Sequence, residues 1–360
     1  MNETTCSLEN YLILPDNTMD ERIANAKKQL GDSLIILGHH YQRDEVIRFA
    51  DAIGDSYKLS KIAAETNAKY IVFCGVHFMA ESADILSKPE QIVILPDLNA
   101  GCSMADMADI SQVEHCWEVL EQMGIANHIM PITYMNSSAA IKAFCGEHEG
   151  LVCTSSNADK AFAYAFAHDK KILFIPDQHL GRNTGSKMGI SLNEMTIWDP
   201  WTIQYGKNFL FKKIILWKGH CSVHQRFLPS HVETIREKYP NMKIIVHPEC
   251  RIEVCEKADD IGSTEKLISL IESAPDGSSF AIGTEIHLVN RLAKKFPNKH
   301  IITLDDSGCG CLCTTMYRIT PQHLCWVLEN LVDGKVVNHI KVKDSVKHWA
   351  NIALNRMLEV

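Results

Sequence analysis

The sequence lacks the features that would assign the chain to a membrane or to nucleic acid. No apolar run approaches the length of a bilayer-spanning helix. Basic residues are not in excess, since 36 Lys and Arg stand against 44 Asp and Glu, a formal net charge of −8, whereas phosphate backbones need a basic surface. Residues 1–20 contain no Lys or Arg, which argues against a signal peptide. We therefore expect a cytoplasmic protein that binds neither membranes nor nucleic acid.

A disulfide or zinc-knuckle pattern is also missing, although the chain has 13 cysteines. The segment 307–316, SGCGCLCTTM, groups three of them. A disulfide framework would spread its cysteines, and a zinc knuckle would combine this group with a separate CxxC pair. In a reducing compartment the thiols should be buried side chains or metal ligands. Those in apolar runs or helical patterns, which we interpret as buried side chains, are Cys74, Cys145, Cys153, Cys255 and Cys325.

Two further cysteines lie in polar loops after strand-like runs. Cys102 and Cys221 each follow a glycine within two residues, where a metal could be approached by backbone and solvent. Together with one cysteine of segment 307–316, they are candidates for three thiolates that hold an iron–sulfur cluster. Three ligands for four irons would leave one iron open as a Lewis acid, the arrangement that dehydratase chemistry needs. A zinc protein and a redox or oxygen sensor are the alternatives.

Short apolar runs alternate with helical patterns along the chain, in three cycles that each close on a cysteine-containing loop. This pattern indicates an internal architectural repeat. We predict an α/β fold of three pseudo-symmetric three-layer α/β/α domains, with short parallel sheets around a central active site. The predicted boundaries are a leader at 1–20, domains at 21–110 (Cys102), 111–235 (Cys221, with an insertion at 189–211) and 236–320 (the third cysteine), and a C-terminal helical segment at 321–360 that packs on the core.

Polar residues follow almost every strand-like run, at the edge where parallel sheets bind ligands. The titratable groups suited to proton transfer near neutral pH are His39, Tyr41, His247 and Glu249. Hydroxyls close to helix starts are Ser56, Ser155 and Thr264. At such positions free N–H groups bind phosphate or carboxylate, and helix capping is the alternative role.

Taken together, these motifs resemble the quinolinate synthase family. They follow the family's order from about residue 30 to 320. They are GHHYQ at 38–42, GDS at 54–56, VHFMAE at 76–81, LPD at 95–97, CSMAD at 102–106, YMNS at 134–137, TSSNA at 154–158, FIPD at 174–177, HPEC at 247–250 and GST at 262–264. The segment 217–224, WKGHCSVH, is similar to the longer subtype found in bacilli.

The resemblance implies three domains that each give one cysteine to a [4Fe–4S] cluster. In the family the last ligand lies three residues before a methionine. That spacing implies Cys313 as the third metal ligand beside Cys102 and Cys221. Cys309 and Cys311 are extra cysteines, which the usual family loop does not contain.

The resemblance also implies the reaction, in which iminosuccinate and dihydroxyacetone phosphate condense to quinolinate with loss of phosphate and water, in de novo NAD biosynthesis. It implies a transient contact with L-aspartate oxidase, the source of the imine. We interpret Tyr41 and Glu249 as the proton-transfer residues. The substrate-binding residues that it implies are His39, Ser56, Tyr134, Met135, Asn136, Ser155, His247, Pro248, Glu249 and Thr264. An iron–sulfur hydro-lyase that acts on a simple hydroxy acid is the alternative enzyme.

Overall fold

The structure is a computed structural model that describes residues 7–202, 207–305 and 311–360. Its strands are β1 (Leu34–His39), β2 (Ala52–Gly54), β3 (Tyr70–Cys74), β4 (Ile92–Ile94), β5 (Ile129–Tyr134), β6 (Leu151–Cys153), β7 (Lys171–Ile175), β8 (Met195–Trp198), β9 (Ile214–Trp217), β10 (Lys243–Val246), β11 (Asp260–Ile261), β12 (Ser279–Gly283), β13 (His300–Thr303) and β14 (His339–Ile340).

The α-helices are α1 (Glu9–Leu12), α2 (Asp20–Leu30), α3 (Asp44–Ile47), α4 (Ser56–Glu65), α5 (His77–Leu86), α6 (Ile110–Gln122), α7 (Ala139–Glu147), α8 (Ala158–Ala167), α9 (Gln178–Lys187), α10 (Pro229–Lys238), α11 (Ile252–Cys255), α12 (Thr264–Ser273), α13 (Ile286–Lys295), α14 (Thr314–Tyr317), α15 (Pro321–Val332) and α16 (Asp344–Glu359). Short 3-10 helices span Asp16–Thr18, Gly31–Ser33, Ala105–Met107, Ala126–His128, Leu192–Glu194, Lys207–Phe211 and His224–Arg226.

The chain divides into two compact units. Unit 1 consists of Met1–Cys102 and Leu312–Val342, and unit 2 consists of Ser103–Cys311 and Lys343–Val360. Unit 1 contains one sheet, in the order β14-β4-β3-β1-β2. Unit 2 contains two sheets, in the orders β6-β5-β7-β9-β8 and β11-β10-β12-β13. The predicted domain boundaries, and the predicted arrangement of the sheets around a central site, stay predictions.

The three sheets repeat one strand order. In each sheet the first strand along the chain pairs in parallel with a short edge strand on one side and with the next longer strand on the other side, as β1 does with β2 and β3. β5 pairs likewise with β6 and β7, and β10 with β11 and β12. A helix follows most strands, which is the connection that parallel pairing requires. The prediction of a repeated α/β fold with short parallel sheets is therefore confirmed.

The repeat extends to how the first strand is fixed. The carboxylate of Asp51 accepts a hydrogen bond from Ile36 N–H at 2.8 Å, at the point where β2 begins. Asp259, just before β11, accepts one from Ile244 N–H at 2.7 Å in the same way. In each case the edge strand starts beside the middle of the first strand. The loops that follow the two strands therefore lie at the same end of the sheet.

Two strands lie outside the common order. β8 falls within the predicted insertion 189–211 and forms an edge of its sheet beside β9. β14 pairs antiparallel with β4, with His339 opposite Ile94. Of the C-terminal segment, α15 packs against α2 in unit 1 and α16 packs against α7 in unit 2. Within the described ranges, no helix combines the length and the apolar character that a membrane crossing would need.

The α7–α16 contact is close because Gly146 has no side chain. A Cβ atom on Gly146 would lie 2.0 Å from the backbone oxygen of Trp349 in α16. Arg356, near the end of α16, donates a hydrogen bond to Gly150 O at 2.7 Å, in the turn before β6. The C-terminal helix thereby supports the edge strand β6 and the loop that follows it.

Candidate functional site

In unit 2, buried polar side chains from separate loops meet at the carboxyl ends of parallel strands. Tyr134 is the last residue of β5, His247 and Glu249 follow β10, Thr284 follows β12, and His224 lies in the loop after β9. All five are at most 5% exposed. Tyr134 and His224 follow strands of one sheet of unit 2, and His247, Glu249 and Thr284 follow strands of the other, so the cluster lies where the strand ends of these two sheets meet.

His224 is the centre of this cluster. Its Nδ1 lies 2.7 Å from Glu249 Oε2, and its Nε2 lies 3.2 Å from Thr284 Oγ1. The ring of His247 stacks on that of His224, with centroids 4.5 Å apart and planes 22° from parallel. Tyr134 also hydrogen-bonds to the Glu249 carboxylate. One connected chain therefore runs from Tyr134 through Glu249 and His224 to Thr284.

The surroundings of Glu249 favour its ionised form. Burial opposes ionisation, but the electrostatic attraction of His224 and the hydrogen bonds from His224 and Tyr134 outweigh it, so the pKa of Glu249 lies below its usual range. Burial lowers the pKa of His247 to about 3. The cluster therefore combines an ionised carboxylate with a neutral imidazole at physiological pH.

Cys221 lies beside this cluster. Its sulfur, a ring nitrogen of His224 and a carboxylate oxygen of Glu249 are all within 4.8 Å of one another. Cys221 is half-buried, whereas His224 and Glu249 are buried. The predicted metal ligand of unit 2 and the predicted catalytic carboxylate thus belong to one site.

Asp177 and His179 lie at the start of α9, where the loop after β7 ends. Asp177 caps the helix, since its Oδ1 accepts hydrogen bonds from His179 N–H at 2.7 Å and Leu180 N–H at 2.9 Å. Burial, together with the charge of Glu249, raises the pKa of Asp177 well above its usual range. Burial lowers the pKa of His179 to about 4. The FIPD motif therefore fastens this loop by hydrogen bonds.

The other predicted substrate residues of unit 2 lie in adjoining loops. Met135 is fully buried, and Asn136 Oδ1 is a buried acceptor that finds no hydrogen-bond donor among the described residues. Ser155 and Pro248 line a cavity of about 170 Å³ together with Ser263. Thr264 is buried at the first position of α12. Its neighbour Ser263 is the N-cap residue, accepting from Lys266 N–H at 3.4 Å.

Unit 1 contains the remaining predicted side chains. His39 ends β1 and is 5% exposed, and Tyr41 is half-buried. Tyr41 N–H donates to His39 Nδ1 at 3.1 Å, which matches the donation from Glu249 N–H to His247 Nδ1 at 3.4 Å. The proton-transfer candidates Tyr41 and Glu249 are thus equivalent positions of the repeat. Ser56 begins α4, which Asp55 caps.

Burial separates the predicted metal ligands from other cysteines. Of the cysteines in the described ranges, Cys102, Cys221 and Cys313 are half-buried, and every other one is buried. The buried group includes the five interpreted above as core side chains, and that interpretation is confirmed. It also includes Cys311, whereas Cys309 lies outside the described residues. The convergence of the three half-buried sulfurs stays a prediction.

Two members of the cluster were missed by reasoning from the sequence. His224 was noted only as part of the WKGHCSVH segment. Thr284 lies in a polar loop after a strand-like run and was not singled out. A histidine three residues after a proposed metal ligand is a weak signal by itself. The position of Thr284 directly after β12, equivalent to the loops after β3 and β7, was the available indication.

Three parallel α/β sheets, a buried acid–base cluster at strand ends and a half-buried thiol beside it define an α/β enzyme with a candidate metal centre. The family model described as "Quinolinate synthetase A protein" matches residues 21–359. The chain is 69% identical to the quinolinate synthase of Acidobacterium capsulatum, over 99% of this chain and 96% of that protein. It is 55% identical to the quinolinate synthase of Anoxybacillus flavithermus, over 97% and 95%, and 51% identical to that of Bacillus anthracis, over 98% and 95%. The chain belongs to the quinolinate synthase family.

Proposed function

We propose that the chain condenses iminosuccinate with dihydroxyacetone phosphate to quinolinate, releasing phosphate and water, in de novo NAD biosynthesis. The observation that carries this proposal is the buried chain Tyr134–Glu249–His224–Thr284 in a protein so similar to enzymes named quinolinate synthase. The reaction belongs to the cytoplasm, where L-aspartate oxidase would supply the imine through a transient contact.

Cys102, Cys221 and Cys313 would hold a [4Fe–4S] cluster. Their partial exposure supports this assignment, because a thiolate ligand must lose its proton and reach the metal, whereas a fully buried thiol resists ionisation. When bound by three protein thiolates, such a cluster supplies a Lewis acid at its fourth iron.

Glu249 is the proposed general base. Its carboxylate is ionised and buried, and His224 on one side and Tyr134 on the other hold it in place. Carbon–carbon bond formation and the loss of water require protons to be removed and returned, and a positioned carboxylate can do both in turn. Tyr41, at the equivalent position of unit 1, is the second proposed proton-transfer group.

The substrates carry carboxylates, a phosphate, an imine and hydroxyls, which the remaining side chains can bind. We assign carboxylate or phosphate oxygens to Ser56 and Thr264, the first residues of α4 and α12, because helix N-termini attract anions. Asn136 Oδ1, a buried acceptor, suits a substrate N–H or O–H. The further proposed contacts are His39, Tyr134, Met135, Ser155, His247 and Pro248.

Iron, sulfide and quinolinate formation measured anaerobically on one sample of the full chain test the proposal. We expect about four irons and four sulfides per chain and quinolinate only when iminosuccinate and dihydroxyacetone phosphate are both supplied. A chain that holds the cluster but forms no quinolinate would overturn the proposed reaction. Dehydration of a simple hydroxy acid without triose phosphate would favour the hydro-lyase instead.

Glu249→Gln tests the assigned base. The amide cannot accept the proton, so we expect unchanged iron content and a loss of turnover of roughly 10²–10⁴-fold. Glu233→Gln is the matched control, since Glu233 is an exposed residue of α10 paired with Lys257. Turnover that survives in the Glu249 variant would remove this residue from the proposed mechanism.

A further inference from the structure

We propose that Cys221, His224 and Glu249 form a zinc site in the cluster-free chain. The three side chains offer one thiolate, one imidazole and one carboxylate, with all ligand atoms within 4.8 Å of one another. Zn²⁺ binds these three donor types at about 2.0–2.3 Å in a tetrahedron, which places neighbouring ligand atoms roughly 3–4 Å apart. Small side-chain rotations would bring the three donors into that range, and water would complete the fourth position.

The surroundings of His224 are those of a metal ligand. Metal-bound histidines usually donate their second ring N–H to an oxygen, which fixes the ring and its tautomer. Here Nε2 lies 3.2 Å from Thr284 Oγ1, while Nδ1 points to Glu249. Zinc would displace the Nδ1 proton that His224 donates to Glu249 and leave an Nε2 proton to donate to Thr284 Oγ1, so that Nδ1 becomes the third ligand atom beside Cys221 and Glu249. Stacking against His247 restricts the ring further.

Zinc and the cluster would compete, because both need the Cys221 thiolate; this consequence rests on the proposed function. Zinc binding releases the Cys221 thiol proton to solvent, moves the Nδ1 proton of His224 to Nε2 or to solvent, and needs no oxidant or reductant. It uses Cys221 without Cys102 or Cys313, whereas the cluster uses all three and needs neither His224 nor Glu249 as ligands. The two metal states therefore have different residue requirements.

The first experiment titrates the full-length, cluster-free chain with Zn²⁺ anaerobically, in competition with a chromophoric chelator. We expect one zinc per chain, and a weakening of Zn²⁺ affinity of about 100-fold or more in His224→Gln and in Glu249→Gln. Thr284→Val should weaken binding by roughly 10–100-fold, and Thr284→Ser, which keeps the hydroxyl, should restore it. Circular dichroism of each variant establishes that it is folded.

Co²⁺ provides a spectroscopic test of the same site. We expect tetrahedral d–d bands and one thiolate-to-cobalt charge-transfer band, absent in Cys221→Ser and retained in Cys102→Ser. Loss of the signal in Cys102→Ser would show that the metal sits on the proposed cluster ligands and would overturn the zinc site. Unchanged zinc affinity in both His224→Gln and Glu249→Gln would overturn it equally.

Cluster reconstitution of the same variants separates this inference from the proposed function. We expect Cys102→Ser to lose the cluster but keep zinc, and His224→Gln to keep the cluster but lose zinc. Preloading with Zn²⁺ should then reduce iron incorporation in the unmodified chain and not in His224→Gln. A Cys102→Ser chain that assembles a complete cluster would contradict the cluster assignment while leaving the zinc site in place. Equal iron incorporation with and without zinc would contradict the competition.

Discussion

At the scale of single residues, burial decides what each described cysteine can do. Burial raises the pKa of Cys311 to about 11 and that of Cys255 to about 12, so these thiols stay protonated at neutral pH. A protonated thiol is a poor metal ligand. Cys313, two residues from Cys311, is half-buried. Two cysteines that are close in sequence therefore have different chemical environments.

Serine variants of these two cysteines test the third cluster ligand. Because Cys311 is enclosed and protonated, we expect Cys311→Ser to retain full iron and sulfide content, and we expect Cys313→Ser to lose the cluster. Iron and sulfide analysis with the visible absorbance of anaerobic samples is the measurement. Cys325→Ser, at another buried cysteine, is the control for the substitution itself. The opposite pattern would assign the ligand to Cys311.

Reasoning from the sequence found some residues of the site and missed others. Glu249 and His247 could be found because they follow a recognisable apolar run, at the edge where parallel sheets bind ligands. Thr284 also follows an apolar run, but its importance, like that of His224, arises from contacts across 25 and 60 positions of the chain. No local pattern of residue types encodes such contacts.

At the scale of elements, strands with a continuous apolar run could be predicted, even the three-residue edge strand β6, whereas the edge strands β2 and β11 could not. β5, β7 and β10 are runs of four to six residues, which is enough for a buried parallel strand to be recognised. β11 has two residues and β2 has three. Their strand conformation follows from pairing with β10 and β1, so it depends on tertiary structure.

The contact of α7 with α16 is an element-scale feature with a measurable cost. In Gly146→Ala the new Cβ would lie 2.0 Å from a backbone oxygen of α16, so the helix must shift. We expect the free energy of unfolding to fall by about 1–3 kcal/mol, although alanine is the better helix former. Urea unfolding of the full chain measures the change.

Glu147→Ala is the control for that variant. Glu147 is exposed in the same helix, so its replacement should change the free energy of unfolding by no more than about 0.5 kcal/mol. If Gly146→Ala is as stable as the control, the two helices are less closely packed than we describe.

At the scale of the whole molecule, the repeated α/β architecture was predictable, and the path of the C-terminal segment was not. Three cycles of strand, polar loop and helix are visible in the sequence, because each cycle forms a local strand–helix unit. β14, in contrast, joins β4 across more than two hundred residues, and α15 and α16 pack in different units. These pairings depend on which surfaces the finished sheets leave uncovered.

Buried histidines make the stability of the whole chain depend on pH. Burial lowers the pKa of His179 to about 4 and that of His247 to about 3, whereas both should titrate near 6.5 when unfolded. Between these values the unfolded chain binds more protons, so the free energy of unfolding falls as the pH falls. From pH 7 to 5.5 each histidine should remove about 1.3 kcal/mol, roughly 2.5 kcal/mol together. Asp177 acts against them, because its raised pKa lets the folded chain take up a proton that the unfolded chain does not. The low pKa of Glu249 matters only at lower pH, because the stability that it contributes is lost as the pH falls below about 4.5.

Urea unfolding of the cluster-free full chain at pH 7 and pH 5.5 measures this pH dependence, and His179→Gln should reduce the slope by about half. An unchanged slope in His179→Gln would show that His179 is not held neutral in the folded state.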